Sequence, residues 1–256
     1  MAENQYGFPT EVLSLPSNGL LYPEDSPLRS GTIDVKYMTA KEEDILTSQN
    51  LIEQGVVITK LLQSVIVTPN VKLDDLLIGD KNAIMIGTRI LGYGANYDIM
   101  LTDPDTKERV EYSVDLSKLE NKPIDVELYN NGNDFQFELP NSKRVLTFKL
   151  LTQGDENEIQ NIIKDYEKVE KLTGVSQTLT TRLKYQIKSV DGDTNQKTID
   201  NFVDNEFLAL DTRAFRKFVL DITPDIDMSF EYTSKSGNKH KIDIPLGIDF
   251  FWPAAE

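Results

Sequence analysis

The sequence has no cysteine, one histidine and one tryptophan in 256 residues. Without thiols there are no disulfides, no thiolate nucleophile and no cysteine-rich structural zinc site. Histidine is the usual general base near neutral pH. The single one, His240, lies in a lysine-rich turn, KSGNKHK, and no nucleophile-elbow pattern accompanies it. Basic residues are also in deficit. The 27 Lys and Arg stand against 42 Asp and Glu, a formal charge of −15, with a sequence pI near 4.6. Duplex nucleic acid is bound through its phosphates by clustered cations, so this balance argues against a nucleic-acid partner. No run approaches the roughly 18 apolar residues that a membrane span needs, so no membrane partner is expected. The opening MAENQYGFPTEV has neither a basic flank nor an apolar stretch, so no secretory leader is expected in it. No phosphate-binding glycine loop has either standard spacing, since Gly92-Tyr93-Gly94 lacks the rest of the pattern. No cofactor is expected.

The acidic residues form only fragments of known sites. Asp191-Gly192-Asp193-Thr194-Asn195 resembles half a calcium loop, but Phe202 stands where the bidentate glutamate belongs, so an exposed turn is the better reading. Asp221 to Asp227, DITPDID, reads as a proline-shaped connector. Paired carboxylates are the requirement for glycoside hydrolysis, yet among 42 acidic residues pairs arise by chance. The expectation is a non-enzyme with no catalytic and no metal residues.

What is present is enough apolar material, 39% of residues, for a substantial core. Thr32 to Tyr37 reads as a strand. Thr39-Ala40-Lys41-Glu42 is a capping-box pattern that starts a helix, broken near Gly55. Val56 to Ile66 gives a second helix. Asp80 is the expected N-cap of a third, Lys81 to about Leu91, apolar on most sides and therefore central, with Arg89 inside it as a paired or snorkelling cation. Tyr97–Leu101 and Arg109–Val114 flank a proline turn, and residues 124–128, 135–139 and 145–150 alternate as strands. Helical spacing returns over 155–172, at Leu179, Leu183 and Ile187, over Gln196–Leu208, and over Thr212–Leu220 with Asp211 as N-cap. A hairpin over 228–244 closes the pattern. The expected fold class is α+β, a helical platform with two small antiparallel β-hairpin modules. Its segments are an extended strap (1–38), a helical core (39–94), an antiparallel β module (95–150), a second helical block (151–227), and a C-terminal hairpin with an aromatic tail (228–256).

Two short stretches stand apart from that pattern. LPSNGLLYP (residues 15–23) and LGIDFFWP (246–253) are proline-bounded ribbons rich in large apolar side chains. Aromatic anchors on shaped ribbons are typical of protein–protein hot spots. Leu20, Leu21, Tyr22, Phe250, Phe251 and Trp252 are therefore the candidate partner-binding residues. The other reading is that both ribbons strap the chain's own core.

Four ordered stretches now read together: LPSNGLLYP, VKYMTAKEEDILTSQNLIEQGVVITKLLQSVI, DDLLIGDKNAIMIGTRILGYGANYDI and IPLGIDFFWP. In this combination the chain resembles the baseplate hub family of contractile-tailed phages of the T-even (T-four-like) type, which comprises hub subunits and hub-assembly factors. The resemblance is strong over about residues 13–116 and looser over the last thirty. It implies a virion or virion-assembly protein, made in the host cytoplasm and located in the tail baseplate, without catalytic turnover. The implied partners are other baseplate hub, tail-tube or tape-measure proteins, and homo-oligomer formation is open. One departure matters. Many members of the family carry a Cys-Pro-x-Cys knuckle after the YGANYDI strand and a similar one in the C-terminal hairpin. Here the first is Asp103-Pro104-Asp105-Thr106 and the second has no cysteine, so zinc is expected at neither, and backbone pairing and packing must hold both turns. The alternatives to a hub role are a soluble tail-assembly chaperone absent from the mature virion, a carboxylate-based cell-wall hydrolase, and, more distantly, an acidic inhibitor that mimics nucleic acid.

Overall fold

A computed structural model describes residues 7–173 and 176–251. Strand β1 (Thr10–Ser14) pairs antiparallel with β2 (Thr32–Lys36). The ribbon LPSNGLLYP forms the first part of their connection. Asn18 and Gly19 both take positive φ, 50° and 75°, the conformation that Asn-Gly supplies at least steric cost. A Cβ at Gly19 would stand 2.3 Å from the Arg29 carbonyl oxygen, so the turn closes tightly on its own return limb. The Arg29 guanidinium donates to the carbonyls of Gly19, Leu20 and Tyr22, which fixes that limb.

Helix α1 (Ala40–Thr47) follows Thr39, as the sequence predicts, and its Glu42 accepts from both the N–H and the hydroxyl of Thr39. The expected single helix up to Gly55 breaks at Ser48 into α1 and a short α2 (Gln49–Glu53). Gly55 then takes φ +70° ahead of α3 (Val57–Val65). Helix α4 (Ile78–Tyr93) is the buried centre, with Ile84 fully and Met85 and Ile86 nearly fully enclosed.

Strands β3 (Asn96–Thr102) and β4 (Arg109–Asp115) make the first hairpin, and β8 (Ser229–Thr233) with β9 (Lys239–Asp243) the last. Between them, β5 (Phe135–Glu138), β6 (Val145–Phe148) and β7 (Ile187–Val190) form a separate three-stranded sheet in the order β5-β6-β7. Two expectations change here. Residues 124–128 alternate like a strand but have no strand partner, and Val126–Tyr129 instead winds into a 3₁₀ turn capped by the Asp125 carboxylate. Ile187 leaves its expected helix because β6 offers its backbone a ladder.

The second helical block contains α5 (Gln153–Thr173), α6 (Thr178–Gln186), α7 (Gln196–Asn201) with a π turn over Phe202–Glu206, and α8 (Ala209–Ile222). One hydrophobic cluster runs through strap, helices, sheets and tail, from Leu15 to Phe251. Its aromatic centre stacks Phe135 on Phe148, with Phe215 edge-on at 4.9 Å. The fold is α+β, and no described helix is long and apolar enough to cross a membrane.

Candidate functional site

The two expected contact ribbons lie inside the chain. Leu21 and Tyr22 are buried, Leu20 is half-buried against the core, and Phe250 and Phe251 have no exposed surface. Trp252 lies outside the described residues. Of the two readings, partner contact or a strap on the chain's own core, the described five side chains follow the second, because each ribbon has a polar anchor that draws it inward. For the first ribbon the anchor is Asp80. Its carboxylate accepts from the Ser17 N–H (2.9 Å), the Ser17 hydroxyl (2.6 Å) and the Tyr22 hydroxyl (2.6 Å), while Tyr22 itself accepts from the Leu77 N–H. Burial pushes the Asp80 carboxyl above its ordinary range, against the pull of Ser17 and Tyr22. Asp80 is thus not the N-cap of α4. Leu77 holds that position, and Asp80 sits inside the first turn, turned to the strap. For the second ribbon the anchor is Arg89. Its guanidinium donates to the carbonyls of Phe250 (3.1 Å), Gly94 and Asn96, and lies over the rings of Tyr93 and Tyr97. Arg89, expected as a paired or snorkelling cation, is buried and paired with carbonyls and rings of its own chain.

The most organised polar cluster outside the core joins the two outer hairpins at the proline turn. Asp103 opens that turn, and its Oδ1 accepts from the N–H groups of Asp105 (2.9 Å) and Thr106 (3.0 Å). Its Oδ2 reaches across to β8–β9 and accepts from the Tyr232 hydroxyl (2.8 Å) and the Lys235 N–H (3.0 Å). Asp105 accepts from the Ser234 hydroxyl and the Asn238 amide, and pairs with His240 Nε2 at 3.1 Å. Behind this clamp Tyr112 stacks on Phe230 at 5.2 Å and meets Tyr232 edge-on. The Thr106 N–H, helped by the Lys235 N–H and the Tyr232 hydroxyl, holds the Asp103 carboxyl well below the usual carboxylate range. Ser234, Asn238 and His240 lower Asp105 in the same way. Desolvation, with Asp103 beside it, raises the Tyr232 phenol.

This arrangement positions two hairpins. Ser234 donates to Asp105 and not to His240, so the serine and the histidine converge on the carboxylate and form no nucleophile–base pair. Among the described residues, no group of three or more His, Cys, Asp or Glu is placed to hold a metal ion. Sequence reasoning singled out Asp103 and Asp105 at the turn but did not foresee their partners on β8–β9, because no local spacing encodes a contact across 129 residues.

No curated protein and no solved structure matches the chain. The family described as T4 bacteriophage base plate protein matches residues 13–252, which takes in the strap, both helical blocks and both clamped hairpins. The chain belongs to the T4 bacteriophage base plate protein family.

Proposed function

We propose that this baseplate protein is a hub subunit or hub-assembly factor that acts by docking on other hub, tail-tube or tape-measure proteins during hub and tail assembly in the host cytoplasm. The observation that carries this reading is the family match along nearly the whole chain. The geometry supports it physically: two hairpins distant in sequence are fixed as one unit on a helical platform, a shape made before any partner arrives. Preformed surfaces lose less conformational entropy on association. A standard interface of roughly 1,600 Å² takes about 20 to 30 residues per side, which the platform and the hairpins together supply. The protein performs its role by shape and does not turn over a substrate.

Mass spectrometry of purified virions tests the reading. Peptides of this chain in fixed stoichiometry with baseplate proteins are expected of a hub subunit. Their absence from virions, together with their presence in tail-assembly intermediates, assigns it to the assembly factors. Normal tails from phage deleted for the gene would overturn the hub reading.

A further inference from the structure

Helices α6 and α8 lie on either side of an open groove of about 380 Å³. Its apolar lining includes Leu150 and Leu151, Leu179 and Leu183 from α6, and Val219 and Leu220 from α8. Leu150 and Leu183 are buried at its base, whereas Leu179 keeps 42% and Leu220 62% of its surface in solvent.

The rim carries three cations, Lys122, Arg182 and Arg216, and two carboxylates, Glu156 and Asp225. Arg182 is paired with Glu156 and Lys122 with Asp225, but Arg216, which lines the groove, has no ion pair among the described residues. Helix α8 extends this character along its outer face. Leu210, Arg213, Arg216, Lys217 and Leu220 recur at helical spacing on the side opposite the buried Asp211, Phe215 and Ile222. All five are exposed, Leu210 at 68%, and neither Arg213 nor Lys217 has an ion pair among the described residues. In a chain of net charge −15, three unpaired cations against one exposed carboxylate, Asp221, give this face of α8 a local charge opposite in sign to the whole.

We infer that the α6–α8 groove and the basic outer face of α8 dock an acidic segment of a neighbouring baseplate protein, which seats one or two large apolar side chains among the leucines. The inference rests on the docking reading above and names the chemistry of one of its contacts. Charge complementarity selects the partner: unpaired arginines attract carboxylates and repel a basic segment. A leucine-walled groove has no use for a sugar–phosphate backbone, and a net charge of −15 repels nucleic acid at long range. Apolar anchors in the groove give strength, and the surrounding cations set orientation and encounter rate.

The test uses the full chain and baseplate intermediates purified from host cells infected with phage deleted for its gene. Co-sedimentation is measured at about 0.05 M and about 0.5 M salt, across which screening lengths shrink severalfold. Two variants are compared with the wild type, with folding checked by circular dichroism: Arg213→Glu/Arg216→Glu/Lys217→Glu, and Leu220→Ser. The wild type is expected to bind, more weakly at high salt. The triple variant is expected to bind at least about tenfold more weakly at low salt, with its salt dependence flattened, and Leu220→Ser to lose about tenfold with its salt dependence kept. If the wild type binds and both folded variants match it, the groove inference alone is overturned. If the wild type does not bind the intermediates at all, the docking reading fails and the inference with it. Binding abolished by nuclease, or salt-sensitive self-association of the isolated chain that the triple variant loses, overturns the acidic baseplate partner in favour of nucleic acid or a second copy.

Discussion

The Tyr232 hydroxyl donates to the Asp103 carboxylate across 2.8 Å and joins two hairpins whose residues lie 129 apart in sequence. The same oxygen takes the Lys235 N–H, so one carboxylate oxygen carries both contacts to the far hairpin. Asp103→Asn faces these two donors with an amide that either turns its NH₂ to them or gives up Oδ1's two backbone donors; each choice leaves donors unsatisfied. A lower thermal midpoint is expected for Asp103→Asn, and a smaller drop for Tyr232→Phe, which removes one bond. In a double-mutant cycle the two changes together should cost less than their sum, because the first already weakens or breaks the bond that the second removes. Strict additivity would show that the clamp does not couple the hairpins.

Tyr22→Phe tests whether the strap is held by its polar anchor. The phenol bridges Asp80 and the Leu77 N–H, and both partners are buried. Removing the hydroxyl strands an acceptor and a helix-end donor, for which the expected loss is about 1–3 kcal/mol in urea unfolding. Tyr22→Ala also opens a cavity and should cost about 3–5 kcal/mol. A Tyr22→Ala variant with wild-type stability would show that this ring is not part of the core.

Much of this fold is legible in the sequence, and the parts that are not share one cause. Both outer hairpins, the start of α1 at Thr39 and the amphipathic run of α5 follow from local rules of period, turn and cap. Asp80 and Asp211 carry the right residue type near a helix start, yet neither caps its helix. Asp80 binds the strap, and Asp211 accepts from the Asn141 and Ser142 N–H groups 70 and 69 residues away. Ile187–Val190 becomes a strand only because β6 is beside it. The ribbons at Tyr22 and Phe250 are recognisable as unusual, but which side they face depends on Asp80 and Arg89, far off in sequence. No local pattern encodes the pairing of α8 with α6 to form a groove.

Glu42 makes acid stability a measurable signature of the platform. Burial pushes its carboxyl up, but the Lys36 ammonium, the Ser64 hydroxyl and Thr39 outweigh that and hold it at about 2. A carboxyl lowered in the folded state contributes stability that is fully present above its unfolded value, about 4.3, and is lost as pH falls towards the folded one. Urea midpoints should therefore decline between about pH 4 and pH 2. Glu42→Gln should be less stable than the wild type at neutral pH, with the gap narrowing through that window. A gap that stays constant from neutral pH to about pH 2 would show that the charge on Glu42 does not matter.

Gly79 marks where the first helical platform meets the end of the second block, and it tests how rigidly the two are joined. It lies in the first turn of α4, where a Cβ would stand 1.9 Å from the Pro224 carbonyl oxygen, 2.8 Å from that carbonyl carbon and 2.9 Å from the Asp225 Cα. All three are backbone atoms, so no side chain can rotate away. Asp225 is held on both sides, by Asn82 from α4 and by the Lys122 N–H, which stops the segment from sliding out. In an unconstrained helix, alanine would be favoured over glycine by about 1 kcal/mol. The contact should reverse the sign, since overpacking against fixed atoms costs about 1–3 kcal/mol. Gly79→Ala is expected to be destabilised in urea unfolding, whereas Gly247→Ala, where a Cβ meets nothing within 4 Å, should stay near wild type. If Gly79→Ala proves more stable than the wild type, the 224–225 segment yields freely, and the platform and the second block are not locked at this point.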